Sequence, residues 1–80
     1  MARFYFDIDD AGREIHDAEG TELPNLEAVR NEAIGVIGDL ASEVPPGVTQ
    51  RVCTVAVRDA LGTPMLRVTM ALNIEWSRQT

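Results

Sequence analysis

The run from Leu66 to Trp76 constrains the fold most. Leu66, Val68, Met70, Leu72, Ile74 and Trp76 alternate without a break with Arg67, Thr69, Ala71, Asn73 and Glu75. A period of two puts every apolar side chain on one face of a strand, so that face must be covered by something. These eleven residues would extend about 36 Å, well beyond the common strand of about 5–6 residues. Pro64 stands just ahead of the run, where a missing backbone donor does little harm.

Three further segments complete the pattern. Over residues 3–8, Phe4, Phe6 and Ile8 alternate with Arg3, Tyr5 and Asp7, which predicts a half-buried strand. Asp9-Asp10-Ala11-Gly12 reads as a turn, and Arg13 to His16 returns as a short second strand around Ile15. Asp17 to Asn25 is expected to be a polar loop. Arg51 to Arg58 is the third strand, with Cys53, Val55 and Val57 on one face and Val52, Thr54 and Ala56 on the other. Asp59-Ala60-Leu61-Gly62 then repeats the acid-to-glycine turn and leads into the last strand.

Between the hairpins lies one helical stripe: Leu26, Val29, Ala33, Val36, Ile37, Leu40 and Val44 step by three and four. Asn25 is a good N-cap and Glu27 suits the positive end of the helix. Pro45-Pro46-Gly47 stops it, because proline donates no backbone bond and the residue before a proline avoids helical geometry. The expected fold is a single α+β domain over residues 1–80, ordered β-β-α-β-β. One helix packs on one face of a four-stranded, mainly antiparallel sheet of order 2-1-3-4, with 2-1-4-3 as the alternative that satisfies the same hairpins.

Composition narrows the function classes. Eighty residues with 45% hydrophobic content support one core, not two, and are too apolar for disorder. No apolar run approaches the length of a membrane span, and Met1-Ala2-Arg3-Phe4 does not open like a signal peptide. A single cysteine, Cys53, fits a reducing cytoplasm. The net charge of −6 argues against general nucleic-acid binding. All seven basic residues are arginine, which reads as genomic composition. Residues 1–43 carry 11 acids and three arginines, whereas residues 44–80 carry two acids and four arginines. Such a split can draw the halves together within one chain or between two.

One helix is about 10 Å wide, while four strands span about 15 Å or more. The sheet is therefore incompletely covered, and the long last strand is expected to overhang its neighbours and leave Ile74 and Trp76 in water. A second copy is the simplest cover. The helix face opposite the core carries Ala28, Asn31, Gly35, Gly38 and Ser42, all small, and small side chains permit close backbone approach. Ala28, Asn31, Gly35, Gly38, Ser42, Ile74 and Trp76 are thus the candidate dimer interface. The plainer reading of the helix stripe is a solvated surface.

Candidate chemistry is thin. Asp7, Asp9, Asp10, Glu14, His16, Asp17, Glu19 and Glu22 form the densest polar cluster. Asp7-x-Asp9-x-x-Gly12 opens like an EF-hand loop, but Ala11 holds the fifth position and Ala18 the twelfth, where a bidentate glutamate is needed. Turn formation and solvation account for these acids. His16 beside Asp17 reads as a surface residue, Cys53 as a small buried hydrophobe, and Ser42 and Ser77 sit on no nucleophile-type turn. Gly35-Val36-Ile37-Gly38 has the spacing of a KH-type clamp but lies mid-helix without a basic residue. Arg3, Arg58 and Arg67 with Tyr5 and Trp76 nearby could line an open sheet face of the kind that stacks single-stranded bases, but by alternation Trp76 points with Leu66 and Met70 and not with Arg67; ion pairs with the acidic half are the favoured role. No catalytic, cofactor-binding or metal-binding residue is assigned.

Three segments taken together resemble a known family: Arg3-Phe4-Tyr5-Phe6-Asp7-Ile8, Asp17-Ala18-Glu19-Gly20-Thr21-Glu22-Leu23-Pro24-Asn25-Leu26-Glu27-Ala28, and Val57-Arg58-Asp59 with Gly62. The family is one of short, uncharacterised alphaproteobacterial proteins of rhizobial type, classed as a domain of unknown function. The resemblance covers nearly the whole chain, and Gly20 to Pro24 is its most specific part. Asn25 departs from the aspartate expected there, and both residues can cap a helix. The resemblance implies a bacterial cytoplasmic setting and a GC-rich genome; it carries no activity, cofactor or catalytic residue across. The function expected from the sequence is a non-enzymatic homodimeric interaction or regulatory module. The alternatives are an antitoxin-like or nucleic-acid-binding sheet module, and a metal-binding protein using the acidic hairpin. The expected partner is a second copy or another protein, with neither nucleic acid nor membrane favoured.

Overall fold

The structure, a computed structural model, describes residues 1–78. Six elements follow in order: β1 (Ala2–Asp10), β2 (Arg13–Ile15), β3 (Thr21–Leu23), α1 (Leu26–Ser42), β4 (Gln50–Asp59) and β5 (Pro64–Asn73). The fold is α+β, with one helix on an antiparallel sheet. The main path of the sheet runs β2-β1-β4-β5, the order expected from the hairpins, and β3 pairs with β1.

The extra strand is the first correction. The segment read as a loop after Asp17 contains β3, which pairs Ala2 with Leu23 and Phe4 with Thr21. The reason lies in β1. It is nine residues long, and β2 covers only Ile8 to Asp10. The remaining outer edge of β1 carries backbone groups that need partners, and β3 supplies them. Both β3 and β4 run antiparallel to β1 on its two sides, so α1 carries the chain across β1 between two strands of like direction.

Asn25 caps α1, its side chain accepting from the Ala28 amide at 2.8 Å. Val29 and Ala33 are fully buried, and Val36 and Ile37 pack at the margin of the core. Leu26, placed in the apolar stripe by its spacing, is instead 58% exposed, because it is the first helical residue and lies outside the covered area. Against the helix lie Phe4 and Phe6 of β1 and Cys53, Val55 and Val57 of β4, each a set that the alternation groups on one face. Among the described residues no layer covers the other sheet face.

The second correction concerns the last strand. It spans Pro64–Asn73, not residues 66–76, and does not outrun its neighbour. Pairing with β4 runs from Arg58↔Pro64 to Gln50↔Asn73. The Ile74 amide makes one more bond, to the Thr49 carbonyl at 2.7 Å. Beyond Thr49 the partner chain turns into the Pro45-Pro46-Gly47 loop, so pairing has nothing to continue on. The overhang instead belongs to both strands. Pairing of β4 with β1 ends at Asp10↔Cys53 with one more bond, from the Ala11 amide to the Val52 carbonyl at 3.1 Å, which leaves Gln50, Arg51, Leu72 and Asn73 projecting past β1. Trp76 lies beyond the strand and is 87% exposed, as expected for a residue stranded in water.

Candidate functional site

The densest polar geometry lies where β1, β4 and the β2–β3 connection meet. Asp7 projects from β1 onto the uncovered sheet face and Arg58 projects from β4. Arg58 donates through Nε to Asp7 Oδ2 at 2.9 Å, and through Nη2 to the Asp17 carbonyl at 2.9 Å. Its guanidinium also lies over the Tyr5 ring, 4.6 Å from the centroid, a cation–π placement. Arg58 Nη2 stands 3.0 Å from His16 Nε2. Arginine only donates, so Nε2 accepts and the ring proton sits on Nδ1, 3.3 Å from Asp7 Oδ1.

Asp17 holds the β2–β3 connection against β1. Neither short strand reaches Phe6, and the Phe6 amide donates to Asp17 Oδ2 at 3.0 Å. The other oxygen, Oδ1, accepts from the amides of Glu19 at 3.1 Å and Gly20 at 3.0 Å. The Asp17 amide in turn donates to Asp7 Oδ1 at 2.9 Å. One carboxylate thus does the work of a missing strand rung. Gly20 has φ +75, and a Cβ there would stand 2.9 Å from Arg3 Cγ, 2.9 Å from Tyr5 Cε2 and 3.0 Å from the Phe4 carbonyl.

These contacts set the charge states. Partial burial works to raise the pKa of Asp7, but the Arg58 hydrogen bond, the Asp17 amide and the neighbouring positive charge outweigh it and hold the carboxyl below its ordinary range. Asp17 follows the same pattern: burial opposes ionisation and three backbone amides overcome it. At the far end of β1, Asp10 is lowered chiefly by Arg51 and then by Cys53. Arg51 grips Asp10 with Nε at 2.8 Å and Nη2 at 2.6 Å. Its Nη1 reaches the Leu40 carbonyl at 3.2 Å and the Glu43 carbonyl at 3.4 Å. The last turn of α1 has no basic residue of its own, so a strand arginine supplies the cation that a helix C-terminus favours. Cys53 donates to Asp10 Oδ1 at 3.3 Å. Burial first, and that carboxylate second, push its thiol pKa up, the opposite of an activated thiolate.

The acidic cluster is therefore dispersed. Asp7 serves Arg58, Asp10 serves Arg51, Asp17 serves the backbone, Asp9 accepts from the Gly12 amide and Glu22 pairs with Arg3 at 3.4 Å. Among the described residues no three His, Cys, Asp or Glu side chains come together as metal ligands would. A shallow groove of about 330 Å³ on the open face is lined by Asp7, Asp9, Glu14, His16, Thr54 and Arg67. His16 Nε2, the nitrogen a general base would use, is occupied by Arg58, and the hydroxyl of the groove residue Thr54 meets Thr69 at 3.4 Å. Two of the three sheet-face arginines are likewise engaged: Arg58 covers the Tyr5 ring that a base would stack on, and Arg3 donates to the Glu19 carbonyl at 2.7 Å; Arg67 lines the groove.

The candidate interface residues fall on two separate surfaces. Asn31, Gly35, Gly38 and Ser42 are exposed on the outer side of α1 and Ala28 is half-buried. A Cβ at Gly35 or Gly38 would meet open space. Ile74 and Trp76 instead line a cleft with Val44, Pro45 and Pro46 beyond the end of β5. The sequence reading missed the Asp17 knot and the Asp10–Arg51 clamp. A signal for the first was present, since Asp17-x-x-Gly20 repeats the acid-to-glycine spacing of Asp9-x-x-Gly12 and Asp59-x-x-Gly62.

The chain belongs to the family described as domain of unknown function (DUF6894), whose family model matches residues 3–71. No curated protein and no solved structure matches it.

Proposed function

We propose that this member of the family is a non-enzymatic interaction module that works as a homodimer. One observation carries the reading: the single chain exposes 5872 Å², whereas a compact monomer of 8.8 kDa exposes about 4,800 Å². The excess of about 1,100 Å² exceeds the roughly 800 Å² that each partner contributes to a standard interface. The radius of gyration agrees. It is 15.0 Å, against about 12 Å for a compact domain of this length. The absence of a free nucleophile–base pair in the groove, with His16 Nε2 held by Arg58, favours binding over catalysis. The single buried cysteine suits a reducing cytoplasm, and exclusive use of arginine suits a GC-rich alphaproteobacterial source.

Native mass spectrometry and light scattering test the reading at micromolar concentration. The expected mass is twice 8.8 kDa. A monomer up to the highest soluble concentration overturns it.

A further inference from the structure

We infer that the second copy pairs along the free edge of β5, joining two five-stranded sheets into one continuous antiparallel sheet. This rests on the homodimer reading and names its surface. Four observations point to the same edge.

The first is backbone accounting. Ile74 donates to Thr49, which sets the alternation along the register of β4 with β5. Leu72, Met70, Val68 and Leu66 turn their amides and carbonyls toward β4. Asn73, Ala71, Thr69 and Arg67 turn theirs outward, away from β4, the one strand that β5 pairs with. The second observation is the contrast with the other edge. The outer side of β1 is occupied by β2, β3 and the Asp17 carboxylate, and its covering strands are three residues each. The ten-residue β5 has no proline after its first position and only Arg67 as a charge, so it lacks the usual devices against edge pairing.

The third is the state of the core. Cys53, Val55 and Val57 on β4 are buried, but Leu66, Val68, Met70 and Leu72 on the same side of β5 remain partly exposed. The core is open beside the free β5 edge; on the opposite flank, where Ile8 and Leu23 are also partly exposed, β2 and β3 already pair with β1. A second sheet and helix set against β5 would close the core and the edge at once. The fourth is charge. The chain carries net −6, yet residues 64–73 contain no acid. Two copies meeting at this edge keep their acidic halves apart, whereas helix-to-helix packing would bring Glu32 and Asp39 of each copy together. An antiparallel strand pair with itself is also two-fold symmetric, as a closed dimer requires.

The test uses the direction of each amide. Proline at position 71 or 69 removes an outward donor and leaves the ladder to β4 intact. Ala71→Pro and Thr69→Pro are therefore expected to convert a dimeric wild type to a folded monomer, checked by mass and by far-ultraviolet circular dichroism. Amide hydrogen exchange gives a readout free of any fold defect. In the wild-type dimer the Arg67, Thr69, Ala71 and Asn73 amides are expected to be protected, although no strand among the described residues pairs with that edge. A dimer in which these four exchange as free amides overturns the β5 assignment and leaves the homodimer reading standing; Gly35→Leu would then locate a helix interface. A monomeric wild type overturns both. Protection of the four amides in a monomer of unchanged mass also overturns the assignment.

Discussion

Gly20→Ala isolates the contact that ties the β2–β3 connection to β1. Two penalties act at this position. The backbone sits at φ +75, where a residue with a Cβ loses about 1–2 kcal/mol relative to glycine. The new methyl would also meet Arg3 Cγ and Tyr5 Cε2 at 2.9 Å and the Phe4 carbonyl at 3.0 Å. A ring carbon and a main-chain oxygen in a paired strand cannot swing aside, so overpacking adds about 1–3 kcal/mol. The sum is about 2–5 kcal/mol, a large share of the roughly 4–12 kcal/mol available to an 80-residue domain. Gly62→Ala is the control, since Gly62 has φ +86 but nothing within 4 Å of a Cβ; it should show the backbone penalty alone. Urea unfolding followed by circular dichroism, at one fixed protein concentration, gives both values. Equal destabilisation by the two substitutions, within about 0.5 kcal/mol, would refute the close approach and with it the account of the knot around Asp17.

Two further outcomes follow from the geometry. Asp7, Asp10 and Asp17 are all held below the ordinary carboxylate pKa, so the native state resists their protonation more than the unfolded chain does. Their contribution is complete above the unfolded value of about 4 and is lost as pH falls through the native values; urea midpoints measured downward from pH 7 should hold and then drop below about pH 4, and a midpoint that stays level to strong acid contradicts the assigned pairs. Ala11 has φ +53 and precedes Gly12 at φ +92, a hairpin turn with two positive φ values that favours Asn-Gly. Ala11→Asn should raise stability by about 0.5–1 kcal/mol, and a lower melting temperature would contradict the turn assignment.

Periodicity made much of the fold legible. The alternation grouped Phe4 with Phe6 and Val55 with Val57 on single faces, and the structure buries those faces; Asn25 and Pro45 bounded the helix within a residue or two. These signals are local. Each depends on residues a few positions apart and on the geometry of one element. The boundary at Asn73 was not local: the apolar alternation continues through Ile74 and Trp76, but a strand ends where its partner ends, and the partner turns away at Thr49.

The polar network was the least legible part. Asp10 with Arg51 and Asp7 with Arg58 are separated by 41 and 51 positions. No spacing rule connects such pairs; the register of β1 against β4 does. The sequence by itself determined the hairpins, the helix and which face of each strand is apolar, because those follow from side-chain period and turn chemistry. Only the tertiary structure decided that Asp17 replaces a strand rung, that Arg51 closes a helix it does not belong to, and that the β5 edge and the core beside it stay open. Each of these is a question of which backbone group lacks a partner, and that is settled only when all the strands have been laid side by side.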